Sequence, residues 1–251
     1  MNIEIQNIQQ HKSLLNRSWL LKEFDERNAL HLSQQLNLKY IVSKLLSIRG
    51  IDLKTVESFL YPDINTDIPI PNKLNDIDKA TKRVIHALEN QERIGIISDY
   101  DVDGSTSASI LYKFLSNFTS SIILKIPNRL VDGYGPNMKL MREMKKNKID
   151  LLFTLDCGTT SHDIIDNEDF EKIDVIVIDH HLSDIKLPNV FAIVNPNRLD
   201  DISNYNQLAA VGVTFLFLMN LRKKLRESKF FIEKKEPNLL SYLDLVALGT
   251  I

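Results

Sequence analysis

Asp174-Val175-Ile176-Val177-Ile178-Asp179-His180-His181 is the stretch that decides how this chain folds. A run of β-branched apolar residues, bounded by polar turn chemistry, reads as a buried strand. It ends in an acid and two imidazoles. Two other apolar runs end in a similar way. Residues 94–97 lead through Ser98 into Asp99-Tyr100-Asp101-Val102-Asp103-Gly104, and residues 151–155 lead into Asp156-Cys157-Gly158. Three strands that each deliver carboxylates or imidazoles at their C-terminal ends describe a metal site on one edge of a parallel sheet.

The pattern extends outward from these strands. Apolar runs at residues 94–97, 122–126, 151–155, 175–178 and 190–194 alternate with helix-like segments at 106–118, 138–148 and 161–169. Such alternation predicts an α/β fold, a doubly wound, mainly parallel five-stranded sheet flanked by helices. In such sheets ligands bind outside the carboxyl ends of the strands. Residues 207–225 and 238–248 read as helical. Residues 76–90 predict an amphipathic helix through Ile77, Ala80, Val84 and Leu88. Residues 1 to about 60 also read as helical, with Leu30, Leu32, Leu36, Leu38, Ile41, Leu45 and Leu46 as apolar positions. Phe59-Leu60-Tyr61-Pro62 ends that region, and 63–75, with Pro69 and Pro71, has linker chemistry. The expected organisation is a helical N-terminal segment and linker at 1–75, then a sheet domain at 76–251.

With 251 residues, 43% hydrophobic and 25% charged, the chain can bury a sizeable core. A net charge of −2 gives no global basic field for polyanions, although bound cations would change the local balance at carboxylate clusters. The single cysteine, Cys157, excludes an intrachain disulfide framework and a Cys-rich zinc site. No early apolar segment reads as a signal peptide, and the apolar stretch at 208–221 is too short and interrupted to span a bilayer. The expected compartment is the cytoplasm, with no membrane partner.

Asp99, Asp101 and Asp103 sit at alternate positions in a strand-to-helix turn, where alternate spacing lets two carboxylates converge. Gly104 permits a tight backbone path, and Ser105 can begin the next helix. Carboxylates this close repel and raise one another's pKa unless a cation lies between them. A solvated, N-capped loop is the plain alternative. A calcium loop of the EF-hand type needs a Glu at its twelfth position, where Ile110 and Leu111 stand instead. Asp156 and Asp179-His180-His181 repeat the arrangement on two further strands, and mixed carboxylate and imidazole ligation suits manganese, with magnesium as a substitute. Adjacent side chains do not readily face one ion. His180 is therefore assigned to metal and His181 to a substrate phosphate, with the reverse left open. Between these blocks, Ile126-Pro127-Asn128-Arg129-Leu130-Val131-Asp132-Gly133-Tyr134-Gly135-Pro136 follows a strand and precedes a helix. Arg129 is a bidentate phosphate donor by its chemistry, and Gly133 and Gly135 let backbone amides approach an anion. The alternative is a glycine-containing loop with a surface arginine. Basic residues cluster at Lys139, Arg142, Lys145, Lys146 and Lys148, and again at Arg222, Lys223, Lys224 and Arg226. Either group could follow a phosphate backbone or be a solvated helix face. Tyr134 could stack on a base or pack within the turn.

In this order the four blocks resemble the DHH phosphoesterase superfamily. Ser98 through Gly104, Ile126 through Arg129, Asp132 through Gly135 and Asn195-Pro196-Asn197 resemble its RecJ-type single-stranded-DNA exonuclease branch. Leu208 through Val213, Tyr242 through Ile251, Leu46 through Ile51 and Phe59 through Pro62 extend that resemblance over nearly the whole chain.

The resemblance implies a hydrolase, a phosphodiesterase that uses two Mn2+ or Mg2+ ions to activate water for 5′-to-3′ digestion of single-stranded DNA in recombination and repair. Asp101, Asp103, Asp156 and His180 match family ligands, with Asp156 the expected bridge between the ions. Asp99 and Asp179 match motif positions that either ligate metal or support a ligand. His181 and Arg129 would neutralise charge on the scissile phosphate, and Asn128, Gly133 and Tyr134 complete the expected substrate-binding set. A single-stranded-DNA-binding protein and a helicase are the implied partners. In such proteins the run Leu-Gly-Thr-Ile continues into Ala-Asp, and that Asp is a further ligand. The resemblance thus presents this chain as the N-terminal, catalytic DHH portion of a longer protein, lacking part of the catalytic set. Cys157 stands where many relatives carry Asn and is read as a tolerated neighbour, not a nucleophile. Two rival readings remain: a DHH phosphoesterase acting on oligoribonucleotides, cyclic dinucleotides or pyrophosphate, and a non-catalytic DHH protein that binds DNA or a partner.

Overall fold

The computed structural model describes residues 14–17 and 22–251. Residues 1–13 and 18–21, part of the expected helical N-terminal segment, lie outside the described residues. The chain divides into two compact units, Met1–Ile68 and Pro69–Ile251. The division falls within the stretch read as linker, ahead of the boundary expected at 75/76.

The first unit contains α1 (Glu26–Leu36), α2 (Tyr40–Ile48), α3 (Val56–Leu60) and α4 (Ile64–Asp67). Asp25 caps α1 by accepting the amides of Arg27 and Asn28, and Asn37 ends the helix in the left-handed region at φ 50°. Leu32, Leu46 and Val56 form the core, with Leu38, Ile51 and Leu60 packed at its border. Leu30, Leu36, Ile41 and Leu45, which the periodicity placed on the apolar face, stay exposed. Helices this short meet along one narrow line, so only part of each apolar stripe reaches it. The segment 63–75 also carries more structure than a linker. Asp63 caps α4 through the amide of Asn65, and a 3-10 turn spans Pro71–Lys73.

The second unit is built on five parallel strands, β1 (Ile94–Ser98), β2 (Ile122–Lys125), β3 (Leu151–Leu155), β4 (Asp174–Ile178) and β5 (Ala192–Val194). They lie in the order β2-β1-β3-β4-β5. Its helices are α5 (Ile77–Glu89), α6 (Val102–Leu115), α7 (Met138–Lys146), α8 (His162–Ile165), α9 (Ala210–Glu227) and α10 (Leu243–Thr250). Every residue of β1 and β3 is buried, because helices cover both faces of the sheet. On one face Ile97, Leu152, Val175, Val177 and Ile193 pack with Leu140, Met141 and Met144 of α7 and Ile165 of α8. The other face carries α5, α6 and α9, and Phe153 meets Phe217 of α9 with ring centroids 5.9 Å apart.

This topology places the site. From β1 the chain moves outward through α6 to β2, then returns through α7, on the opposite face, to β3. The connections therefore diverge between β1 and β3 and open a crevice at the carboxyl ends of those strands. Several boundaries differ from the sequence reading. Helix α6 starts at Val102 and not near Thr106, because Asp101 caps it by accepting the Gly104 amide at 2.9 Å. The helix expected over 161–169 is a single turn, α8, followed by a 3-10 turn at Glu168–Phe170. A further 3-10 turn, Leu239–Tyr242, precedes α10. Among the described residues no helix is long and apolar enough to cross a membrane.

Candidate metal centre

Asp99, Asp156 and Asp179 each follow directly on a strand of the central three, β1, β3 and β4. Their amides continue the sheet, donating to Leu155, Ile178 and Val194 respectively. The side chains are thus delivered from a rigid edge. Gly104 lets α6 begin against the end of β1: an added Cβ would stand 2.5 Å from the Asp99 carbonyl oxygen, a backbone atom that cannot step aside. This close approach brings Asp101 and Asp103 to the same corner as Asp99.

Asp156 is the centre of the arrangement. It is 1% exposed and takes φ +58°, a left-handed conformation uncommon for a residue with a side chain and characteristic of constrained functional positions. One ligand atom each from Asp156, His180 and His181 lie within 4.8 Å of one another, and so do those of Asp99, Asp101 and Asp156. The two groups share Asp156. His180 Nε2 lies 3.3 Å from Asp156 Oδ1 and 3.5 Å from Asp103 Oδ2. That first contact is an ion-pair distance without hydrogen-bond alignment, so Asp156 Oδ1 is buried with no hydrogen-bond donor, as is Asp99 Oδ1. Burial pushes the Asp156 carboxyl up to about 7, against the pull of His180, and raises Asp99 and Asp103 as well. Buried carboxylate oxygens lacking donors, gathered beside an imidazole, fit a divalent cation such as manganese or magnesium.

The two histidines are held differently. His180 Nδ1 is 3.2 Å from the Leu208 carbonyl oxygen, which can only accept, so Nδ1 carries the proton and Nε2 faces the carboxylates. Metal-ligating imidazoles are typically oriented by such a bond at the other ring nitrogen. His181 Nδ1 lies 2.7 Å from Asp179 Oδ1 and 3.9 Å from Asp156 Oδ1, and the bond to Asp179 leads the effects that raise its pKa to about 9. Although adjacent side chains do not readily face one ion, these two approach a single residue. The two rings, 4.7 Å apart, both approach Asp156. The chain leaves strand geometry after Asp179, so the alternation of a strand no longer applies.

Asp179, like Asp103, lies outside both groups that could hold an ion. It is 1% exposed, and its Oδ1 accepts from the amides of His180 and His181 at 2.7 and 3.2 Å and faces the His181 ring. Oδ2 accepts from the Thr159 amide at 3.1 Å. Burial alone would raise this carboxyl, but the His181 bond and charge and the Thr159 bond hold it below its ordinary value. Asp103 accepts from the amides of Ala210 and Val211, at 2.8 and 2.7 Å, tying the start of α9 to the site.

The loop after β2 closes the crevice. Asn128 and Asp132 pin its turn: Asp132 accepts from the Asn128 amide, and Asn128 accepts from the Leu130 amide, each at 2.9 Å. Asn128 Oδ1 thus serves the turn, and Lys139 pairs with Asp132 at 2.8 Å. Arg129 stacks 5.5 Å over the Tyr100 ring, and its charge opposes the rise of the Asp99 carboxyl. Gly133 adopts φ +77° in open space. The Tyr134 hydroxyl donates to the Asp156 carbonyl oxygen at 3.0 Å and lies 3.4 Å from His181 Nδ1. Cys157 is fully buried, and burial pushes its thiol up, away from the thiolate.

Four further residues belong to this centre and were not singled out as site residues from sequence: Thr159, Asn195, Asn197 and Leu208. Asn195 and Asn197 donate to the carbonyl oxygens of His181 and His180. The Asn-Pro-Asn run directly after the last strand is the signal that could have found two of them.

Together the fold and the centre define a class: an α/β protein with a carboxylate and imidazole cluster at the switch point of a parallel sheet. Residues 93–250 match the DHH family, N-terminal domain. The chain belongs to the DHH family. It is 38% identical over 181 residues to the single-stranded-DNA-specific exonuclease RecJ of Dickeya dadantii, an alignment covering 71% of this chain and 31% of that protein. A crystal structure of exonuclease RecJ bound to manganese is 32% identical, with a TM-score of 0.60, over 70% of this chain and 43% of that one. RecJ of Thermus thermophilus in complex with Mn2+ is 26% identical, with a TM-score of 0.68, over 92% of this chain and 31% of that one. The chain thus spans about a third of the length of the RecJ protein it matches at 38% identity.

Proposed function

We propose that this chain is the catalytic DHH portion, residues 76–251, of a metal-dependent phosphodiesterase that digests single-stranded DNA from the 5′ end, with a helical segment and linker at 1–75 ahead of it. One observation carries the reading. Asp156, buried and strained, is shared by two groups of side chains that could each hold a cation. Likeness to RecJ proteins named for single-stranded-DNA-specific exonuclease activity supports the substrate class.

Asp99, Asp101, Asp103, Asp156 and His180 would hold two manganese or magnesium ions, with Asp156 common to both. When bound, such ions activate water and neutralise charge on the phosphate in an in-line displacement. In the metal-free chain the bond to Asp179 raises the His181 imidazole above its ordinary value, and with Arg129 that imidazole would neutralise the scissile phosphate. Asp179 acts by fixing His181 and not as a ligand. Tyr134 keeps its proton, since burial pushes the phenol up, and so remains a donor beside the Asp156 backbone. Asn128 and Gly133 shape the loop that presents Arg129. Cys157 takes no chemical part. The compartment expected for this activity is the cytoplasm, with a single-stranded-DNA-binding protein and a helicase as partners.

The test compares a long single strand carrying a 5′ label with a dinucleotide, each incubated with the chain and manganese. Release of labelled nucleotide from the long strand, abolished by chelation, is expected. Cleavage of the dinucleotide alone would move the substrate class to small phosphodiesters, and cleavage of neither by a chain that binds manganese would favour the non-catalytic reading for this portion.

A further inference from the structure

The backbone of His180-His181 belongs to neither a strand nor a helix, yet each of its polar groups has a side-chain partner. The two amides donate to Asp179 Oδ1, and the two carbonyls accept from Asn197 and Asn195. Three side chains therefore suspend the dipeptide in a conformation that no regular ladder imposes.

The asparagines are themselves braced. Asn195 is fully buried; its Nδ2 donates to His181 O at 2.9 Å and to Thr159 Oγ1 at 3.0 Å, and its Oδ1 accepts from the Asn197 amide at 2.8 Å. Asn197 Oδ1 accepts from Asn206 Nδ2 at 2.9 Å, which aims the Asn197 amide group at His180 O. Two residues beyond Asn206, Leu208 O fixes the His180 ring at 3.2 Å. Two more residues on, Ala210 and Val211 hold Asp103. The short path from Asn195 to Val211 thus contacts both histidine backbones, one histidine ring and one carboxylate of the centre.

We propose that Asn195 and Asn197 are positioning residues that bring the two imidazoles together beside Asp156. Their Nδ2 groups take the carbonyls of consecutive residues, so the peptide planes of the pair cannot rotate independently. Without them the dipeptide would be free to relax toward extended geometry, which sends adjacent side chains to opposite sides. The proposal rests on the metal reading only for its second readout.

The experiment uses the full chain and two measurements. In the metal-free protein, at a pH high enough for His180 to be neutral, proton–nitrogen correlation spectra of the imidazoles read the tautomer of His180, expected as the Nδ1-protonated form. Asn197→Ala is expected to lose that single form. Calorimetric titration with manganese should then show binding weakened about 10–100-fold, the usual effect of removing a group that orients a ligand. Asn197→Asp keeps the shape but cannot donate, and should match the alanine variant. Phe170→Leu, in the core beside the amino end of β4, is the control for general destabilisation and should change neither readout. Should the Asn197 variants fold poorly, Asn206→Ala leaves the Asn197 side chain in place, removes the bond that aims its amide along with a bond to Pro196 O, and is expected to shift the same readouts less. Wild-type tautomer and manganese affinity in every folded variant would overturn the proposal. A wild-type chain that binds no manganese would sink the metal reading, while the tautomer measurement would still decide the asparagine role.

Discussion

The two oxygens of Asp103 accept hydrogen bonds from the amides of Val211 and Ala210, more than a hundred residues along the chain, at 2.7 and 2.8 Å. A carboxylate placed among the candidate ligands is therefore also the N-terminal cap of α9, where anions are favoured. Asp101, by contrast, is exposed and caps only its own helix through Gly104.

Neutralising these two acids should separate structure from ligation. Asp103→Asn places an NH2 group against an amide donor and is expected to lower stability by about 1–3 kcal/mol. Asp101→Asn keeps a good cap and should change stability by less than about 0.5 kcal/mol. Both should weaken manganese binding. Urea unfolding of the metal-free variants checks the difference.

Asp99→Asn should do the opposite. Asp99 is 4% exposed with an unpartnered oxygen, and burial raises its carboxyl above the ordinary value. Removing that charge is expected to stabilise the metal-free chain by about 0.5–2 kcal/mol while weakening cation binding. A thermal melt with and without manganese reads both effects.

The glycines offer a steric contrast. Gly104→Ala would put a methyl group 2.5 Å from the Asp99 carbonyl oxygen and must displace α6 from β1. A loss of more than about 3 kcal/mol is expected, together with cation binding. Gly133→Ala meets no atom within 4 Å and should cost only the local strain of φ +77°, about 1–2 kcal/mol. Denaturant midpoints of the two variants test the contrast.

The metal-free chain should lose stability as pH rises from about 5 to 9. Asp156, raised to about 7, binds a proton in the native state that the unfolded carboxyl has already released above about 4. Its contribution is therefore lost as pH climbs through about 7. His181, raised to about 9, and His180, also raised, contribute stability below about 6.5 that disappears as pH climbs through their folded values. Manganese should reverse the trend, because it requires deprotonated Asp156 and His180 and so binds more tightly at higher pH. Unfolding midpoints at pH 5, 7 and 9, with and without manganese, give the sign.

The strands and the edge that carries the chemistry were legible because a parallel strand covered on both faces is a continuous apolar run. Its C-terminal end is where polar residues first appear. Asp99, Asp156 and Asp179 could be placed on that ground alone. The convergence of His180 and His181 could not, since their geometry depends on Asn195 and Asn197 and not on strand alternation. Neither could the start of α6, where Asp101 caps the helix ahead of Ser105, nor the exposure of Leu30, Leu36, Ile41 and Leu45. The start of α6 is a local choice between two capping residues, while the others depend on contacts between residues distant in sequence or on how much of an apolar stripe a partner helix can cover.

Manganese titration of the chain beside Asp156→Ala tests the shared-carboxylate centre most directly. Binding by the wild type and its loss in Asp156→Ala, with the variant still folded by circular dichroism, is the predicted result. Equal binding by both would contradict the placement of Asp156 between two cations.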